Sequence, residues 1–238
     1  MLSNTTAYDI IVNALQIVGV IGYGESVDPM VAKTSLQMLN AVRAEWSAKP
    51  YNYRKYDQLY IATTNQYSVS LGSSSTVSGD ILERPAAIEQ VVISFGTNNY
   101  EIPIKSYEEY RQLTITNIFS LPTAAYIDTD YPIQNIYLFP GLAVGYKIRV
   151  TGRAYLPEFE NVTDTFIDPP ELFQCFVLAL ALKIAPMFGT DPNTMLGIQQ
   201  SLSSALKPLK AIVFKSRMQR AKNDLYGSTG SINFFAGV

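Results

Sequence analysis

Any chemistry done by side chains in this chain falls to carboxylates. Glu158 with Glu160, or Asp168 with Glu171, could in principle act as the acid and nucleophile of a glycoside-cleaving pair. Each pair also has a plainer role. Asp168 and Glu171 suit a helix start, and Glu158 and Glu160 fall in a polar loop. The chain has no histidine, which removes Ser-His and Cys-His catalysis, His-based metal sites and the usual general base near neutral pH. Its single cysteine, Cys175, excludes an internal disulfide and lies in an apolar run, where a thiol reads as a small buried hydrophobe. Gly19, Gly22 and Gly24 lack the Lys and Ser/Thr of a phosphate-binding loop and read as a turn between helices. These residues predict no catalytic, cofactor-binding or metal site.

Two features near the C-terminus point to binding. Lys207, Lys210, Lys215, Arg217, Arg220 and Lys222 form a stretch free of acids until Asp224. Their charge suits an acidic partner surface or DNA phosphates. On a helical wheel they spread over more than half the circumference, which disfavours a groove-reading face. No nucleic-acid module motif accompanies them, so sequence-specific DNA recognition is not expected. Beyond a Gly/Ser-rich break come Phe234 and Phe235, each worth roughly 2–3 kcal/mol if buried in a partner pocket.

The elements that would position these groups follow from period and punctuation. Thr6 and Asp9 make a capping box before Ile10, Ile11, Ala14, Leu15 and Val18, and Gly19 ends that helix. Asp28-Pro29 opens a second helix with Leu36, Leu39, Val42, Arg43 and Trp46 inward, stopped by Pro50. The period then changes to strands. Tyr67, Val69 and Leu71 alternate with serines, and a Gly/Ser-rich turn runs from Gly72 to Gly79. Ile88 to Phe95 is a strand, and Tyr100, Ile102 and Ile104 alternate after an Asn98-Asn99 turn. Ser106 and Glu109 cap a short helix, and Ala124–Ile127, Ile136–Phe139 and Tyr146–Thr151 complete a mostly antiparallel β-domain.

Asp168 caps the next helix, with Pro169 and Pro170 in its first turn and Glu171 at the positive end of its dipole. Leu172, Phe173, Phe176, Val177, Leu178, Leu180, Leu182 and Ile184 cover nearly every direction around its axis, so it must be buried on all sides. The run is shorter than the roughly twenty residues of a membrane span, which leaves neighbouring copies of the chain as the expected cover. Leu172, Phe173, Phe176, Leu180 and Ile184 are the subunit-packing candidates. Asp191-Pro192 opens a last helix with Met195, Ile198, Leu202, Ala205, Leu206 and Leu209 inward, which Pro208 should kink or split. The fold expected is α+β. Residues 1–50 and 168–222 form a helical core, 51–167 an inserted β-rich domain, and 223–238 a flexible tail.

Composition points to assembly. Charged residues make up 16% of 238 residues, below the usual quarter, and there are sixteen tyrosines, a residue enriched at interfaces. The net charge of −2 gives no reason for whole-surface attraction to nucleic acid or membrane. The first residues lack the charged start and small-residue cleavage site of a signal peptide, which points to synthesis in the cytoplasm.

The order of blocks resembles the head-to-tail adaptors (tail tubular protein A-like) of short-tailed bacteriophages. The stretches that carry this are Leu15-Gln16-Ile17-Val18-Gly19, Leu39-Asn40 with Glu45-Trp46, and Gln66-Tyr67-Ser68-Val69 with Leu71-Gly72. Arg84-Pro85-Ala86-Ala87-Ile88, Leu121-Pro122 with Tyr126, and Ile136-Tyr137-Leu138-Phe139-Pro140 follow. The series closes with Pro169-Pro170-Glu171 through Ala185-Pro186-Met187-Phe188-Gly189. The resemblance implies a non-enzymatic virion protein of the neck, a helical ring of twelve copies beneath the portal. That ring prolongs the DNA channel, retains packaged DNA without reading its sequence and anchors the tail nozzle or hub protein. It implies portal docking through the basic stretch and through Phe234 and Phe235, with no cofactor and no membrane insertion. A cell-wall (peptidoglycan) hydrolase activity, or another neck or tail completion role, is the alternative.

Overall fold

The local sequence settles most helix ends before any tertiary contact is made. The computed structural model describes residues 5–49, 52–72, 84–113 and 118–227, with side chains through residue 211. The elements in chain order are α1 (Ala7–Val18), α2 (Pro29–Ser47), β1 (Lys55–Ile61), β2 (Gln66–Leu71), β3 (Ala87–Phe95), β4 (Asn98–Ile102) and β5 (Ile104–Lys105). They continue with α3 (Tyr107–Arg111), β6 (Phe119–Ser120), β7 (Ala124–Ile127), β8 (Gln134–Leu142), β9 (Lys147–Arg153), α4 (Pro170–Ile184), a 3-10 turn (Ala185–Phe188) and α5 (Pro192–Gly227). The chain is α+β and divides into two units. One holds residues 1–51 and 157–238, the other Asn52–Leu156. Segment 157–167, assigned to the β-domain by the sequence reading, therefore belongs with the helices.

In the helical unit α1 starts on a reciprocal cap. Thr6 N–H donates to Asp9 Oδ2 at 2.7 Å, and Asp9 N–H donates back to Thr6 Oγ1 at 3.3 Å. Its buried stripe is Ala7, Ile10, Ile11, Ala14 and Leu15, and Gly19 closes it in the left-handed region at φ 81°. In α2, Asp28 Oδ1 accepts from the amides of Met30 and Val31, and Leu36, Leu39, Val42, Arg43 and Trp46 face inward. The return segment closes on the N-terminus: Ala7 N–H donates to Asp164 O and Phe166 N–H to Thr5 O. Both ends of the chain thus build one core.

α4 runs through that core and touches α1, α2 and α5. Leu172, Cys175, Phe176, Val177, Leu178, Ala179, Leu180, Ala181 and Ile184 are all buried within one chain. Each large one contributes about 1.5–3 kcal/mol. This corrects the expectation that neighbouring copies must cover the helix: the subunit covers it by itself. By length and composition Pro170–Phe188 also reaches what a membrane span requires, so the apolar run is not too short, and here it packs against protein. The N-cap is Pro169, not Asp168. α5 is a single helix through Pro208 to Gly227. It neither splits there nor gives way to a tail at residue 223.

The β-unit is built on two sheets. β1-β9-β3-β4 form one, antiparallel throughout. β2-β8-β7-β5 form the other, with β6 beside β8; the β5–β7 and β6–β8 pairs are parallel. Val91, Ile93, Ile148 and Val150 of the first sheet and Val69, Leu71, Ile136, Leu138 and Leu142 of the second share one core. Three details differ from expectation. β1 carries no alternation strong enough to announce it: Tyr56 and Tyr60 point in while Leu59 and Ile61 are exposed. The β3–β4 turn is at Gly96-Thr97, because Phe95 pairs with Asn98 and Ser94 with Asn99. Tyr100, Ile102 and Ile104 do not make one strand. Pro103 lies between β4 and β5, which belong to different sheets. Gly152 is required by close approach, since a Cβ there would lie 2.0 Å from the Ala87 carbonyl oxygen.

Candidate functional site

Of the four candidate carboxylates, one is buried and three face solvent. Segment 157–160 is clamped to α2: Asn40 Nδ2 donates to Phe159 O at 2.9 Å and Phe159 N–H to Asn40 Oδ1 at 3.0 Å. Phe159 turns inward, so Glu158 and Glu160 on either side point into solvent. Asp164 Oδ2 accepts from the amides of Glu160 and Asn161 and shapes the loop. Glu171 is exposed at the start of α4. Asp168 is buried and ion-paired with Arg43 Nη1, so it is sealed from any substrate. The two proposed acid pairs are thus one exposed pair on a loop and one pair split between core and solvent.

Arg43 is the functional group that sequence reasoning placed without explaining. Its side chain is 1% exposed. Nε donates to Pro157 O at 2.7 Å, and the guanidinium lies 4.5 Å from the Phe159 ring centroid and 5.2 Å from that of Phe176. The planar cation thus joins α2, the return segment and α4 in one place, a geometry that Lys could not supply. The sequence carried the signal: a charged residue on an apolar helix face requires a buried anion. Beside it, Trp46 stacks on Phe176 at 4.7 Å, and Phe166 meets Phe173 and Phe176 edge-on.

The remaining sequence candidates fall as follows. Leu172, Phe176, Leu180 and Ile184 lie inside the subunit and Phe173 is half-buried. The Cys175 thiol is buried and points at Glu171 O, and burial pushes its pKa up. In the glycine loop, Gly22 N–H donates to Glu25 Oε2 at 2.7 Å, so the chain's own carboxylate occupies an amide that a phosphate would need. Among the described residues no three His, Cys, Asp or Glu side chains gather where they could hold a metal ion. Lys207 and Lys210 are exposed on α5. Lys215, Arg217, Arg220 and Lys222 lie further along the same helix, and their side chains are outside the described residues, as are Phe234 and Phe235.

α5 is far longer than the helix it packs on. Ile198 and Leu206 are buried, and Met195, Leu202, Ala205 and Leu209 half-buried, so its first half lies on α4. With 15 residues in α4 and 36 in α5, the two helices are about 22 and 54 Å long. Roughly 30 Å of α5, carrying the basic stretch, therefore extends past what α4 can cover. At the other end, where α5 begins, is a groove of about 190 Å³ lined by Met30, Val31, Thr34, Ser35, Ile184, Met187 and Phe188. It joins the ends of three elements, so no periodicity announces it. No known protein-family model matches the chain, and no curated protein matches it.

Proposed function

We propose that the protein is a structural component of a short-tailed bacteriophage virion, a head-to-tail adaptor that forms a ring of twelve copies beneath the portal. The observation that carries the reading is the construction of one helical unit from both ends of the chain around an inserted β-unit. That is the block order of the adaptor family which the sequence resembles. The length of α5 supports it. A helix more than twice the length of the α4 it packs on, and which bears six basic residues, suits contact with a larger assembly.

In this reading the work of the protein is assembly. The helical units pack side by side around the DNA channel and the β-unit presents a mounting surface for the nozzle or hub. The basic half of α5 docks on acidic portal surface. DNA passes through the lumen without sequence recognition. Ring formation is carried by the resemblance and by α5, because α4 is already covered within a single copy.

The test is co-purification with the portal protein of the same phage, followed by electron microscopy of the complex. The expected result is a ring on the portal's tail-facing end. A chain that neither binds the portal nor forms a ring on it refutes the proposal. Zymography on peptidoglycan separates the hydrolase alternative: clearing that is lost on Glu160→Gln or Glu158→Gln would establish it.

A further inference from the structure

We propose that the groove beside Met30, Met187 and Phe188 receives the C-terminal segment of a second copy of this chain, with Phe234 and Phe235 as its anchors. The groove is apolar and open. Met30 is 74% exposed, Met187 54% and Phe188 40%, which leaves adaptable thioethers and an aromatic ring facing water. Of its polar lining, Thr34 Oγ1 already donates to Met30 O at 3.0 Å, so the surface asks for an apolar occupant. The chain's last eleven residues, 228–238, contain no charged side chain and include Ile232, Phe234, Phe235 and Val238.

Reach decides between the chain's own groove and that of a neighbour. The groove adjoins the start of α5, and residue 228 follows its far end, about 54 Å away along a continuous helix. Eight further residues to Phe235 span at most about 28 Å when fully extended. The segment therefore falls about 26 Å short of its own groove. Closing that gap would require α5 to fold back on itself at Pro208 by roughly 120°, far beyond a kink that leaves one helix running through. Only another copy can be served. Segment and groove are different patches, so the contact is head-to-tail, a type that closes into a ring or extends as a filament. Phe234 and Phe235 thus move from the portal contact implied by the resemblance to a contact between copies. The inference stands on the groove and the reach, and does not need the portal.

Disulfide trapping between full-length chains tests it. Chains carrying Met187→Cys with one tag are mixed with chains carrying Asn233→Cys with another, then oxidised. Position 187 is exposed, so the fold is not at risk, and native Cys175 is buried in both chains. The expected product is a covalent dimer of the two tags, at least about tenfold above a control mixture using the exposed Asn161→Cys. Adding Phe234→Ser and Phe235→Ser to the Asn233→Cys chain should abolish it. Trapping at the control level, or trapping indifferent to the two phenylalanines, overturns the proposal. So does a chain carrying both cysteines that closes only on itself. Trapping that persists where portal pull-down fails would refute the adaptor reading and leave this contact standing.

Discussion

Arg43→Met should be among the most damaging single substitutions outside the large hydrophobes. The change takes the guanidinium away from the Asp168 carboxylate, whose side chain is 2% exposed. It also leaves Pro157 O without its 2.7 Å donor and removes the cation between the Phe159 and Phe176 rings. Breaking a buried pair from one side costs about 3–5 kcal/mol, because the remaining charge keeps its desolvation penalty and loses its attraction. Against a total stability of about 5–15 kcal/mol, this corresponds to a fall of roughly 10 °C in Tm. Asp168→Leu alone should cost a similar amount for the mirror reason. The double variant Arg43→Met/Asp168→Leu should recover most of the loss, since well-packed apolar replacements of a buried pair are often neutral. Urea unfolding of the full chain, followed by helical circular dichroism, completes the double-mutant cycle. A coupling energy of at least about 2 kcal/mol is expected. Singles that cost less than 1 kcal/mol, or a double that equals their sum, would refute the view that this pair joins α2 to the return segment and α4.

Three further outcomes follow from the same geometry. Phe176→Ala should cost about 3–5 kcal/mol and shift the emission of Trp46, the only tryptophan, to the red as its 4.7 Å stacking partner is lost; unchanged emission would contradict the packing. In the β-unit, Arg149 and then Lys55 hold Asp57 at a pKa of about 2, below its ordinary 3.8. A depressed carboxylate stabilises the fold above about pH 4 and loses that contribution as pH falls toward 2. Both cations are more than half exposed, so the effect should stay below about 1 kcal/mol and shrink in salt. Asp57→Asn should flatten the acid limb of stability by that amount, which pH-dependent unfolding will show or deny. Gly152→Ala should destabilise the β-unit far more than Gly145→Ala. Its Cβ would lie 2.0 Å from Ala87 O, whereas Gly145 has open space and only a strained φ of 86° costing about 1–2 kcal/mol. Equal losses at the two sites would argue against the β3–β9 register.

What the chain's own residues disclose depends on how far apart the interacting groups lie. Helix starts are written locally. Thr6 with Asp9, Asp28 with Pro29, Ser106 with Glu109 and Asp191 with Pro192 each join groups within three positions, and each opens a helix in the structure. Asp168 looks like another such start, yet its carboxylate is held by Arg43, 125 positions away. A local rule had no means of weighing that demand, although an arginine among Leu39, Val42 and Trp46 announced that some anion must come to it. β1 is illegible for the same reason. Its inward tyrosines make sense only against β9, whose Arg149 pairs with Asp57 across 92 positions. Pro103 hides a change of sheet inside what reads as one alternating strand.

The uniform apolarity of α4 shows the deepest ambiguity. Hydrophobicity has no direction and no memory of which chain supplies the cover. It dictates that Phe176 and Leu180 leave water, and is satisfied equally by α1, α2 and α5 of one copy or by the helices of another. The structure resolves this in favour of the same chain, which transfers the question of assembly to surfaces that remain open. The methionine-lined groove where α5 begins is one of them. If copies of this chain associate through that groove, its exposure must fall when they do. Hydrogen exchange around Met30 and Met187 that stayed unaltered in the assembled state would place the contacts elsewhere.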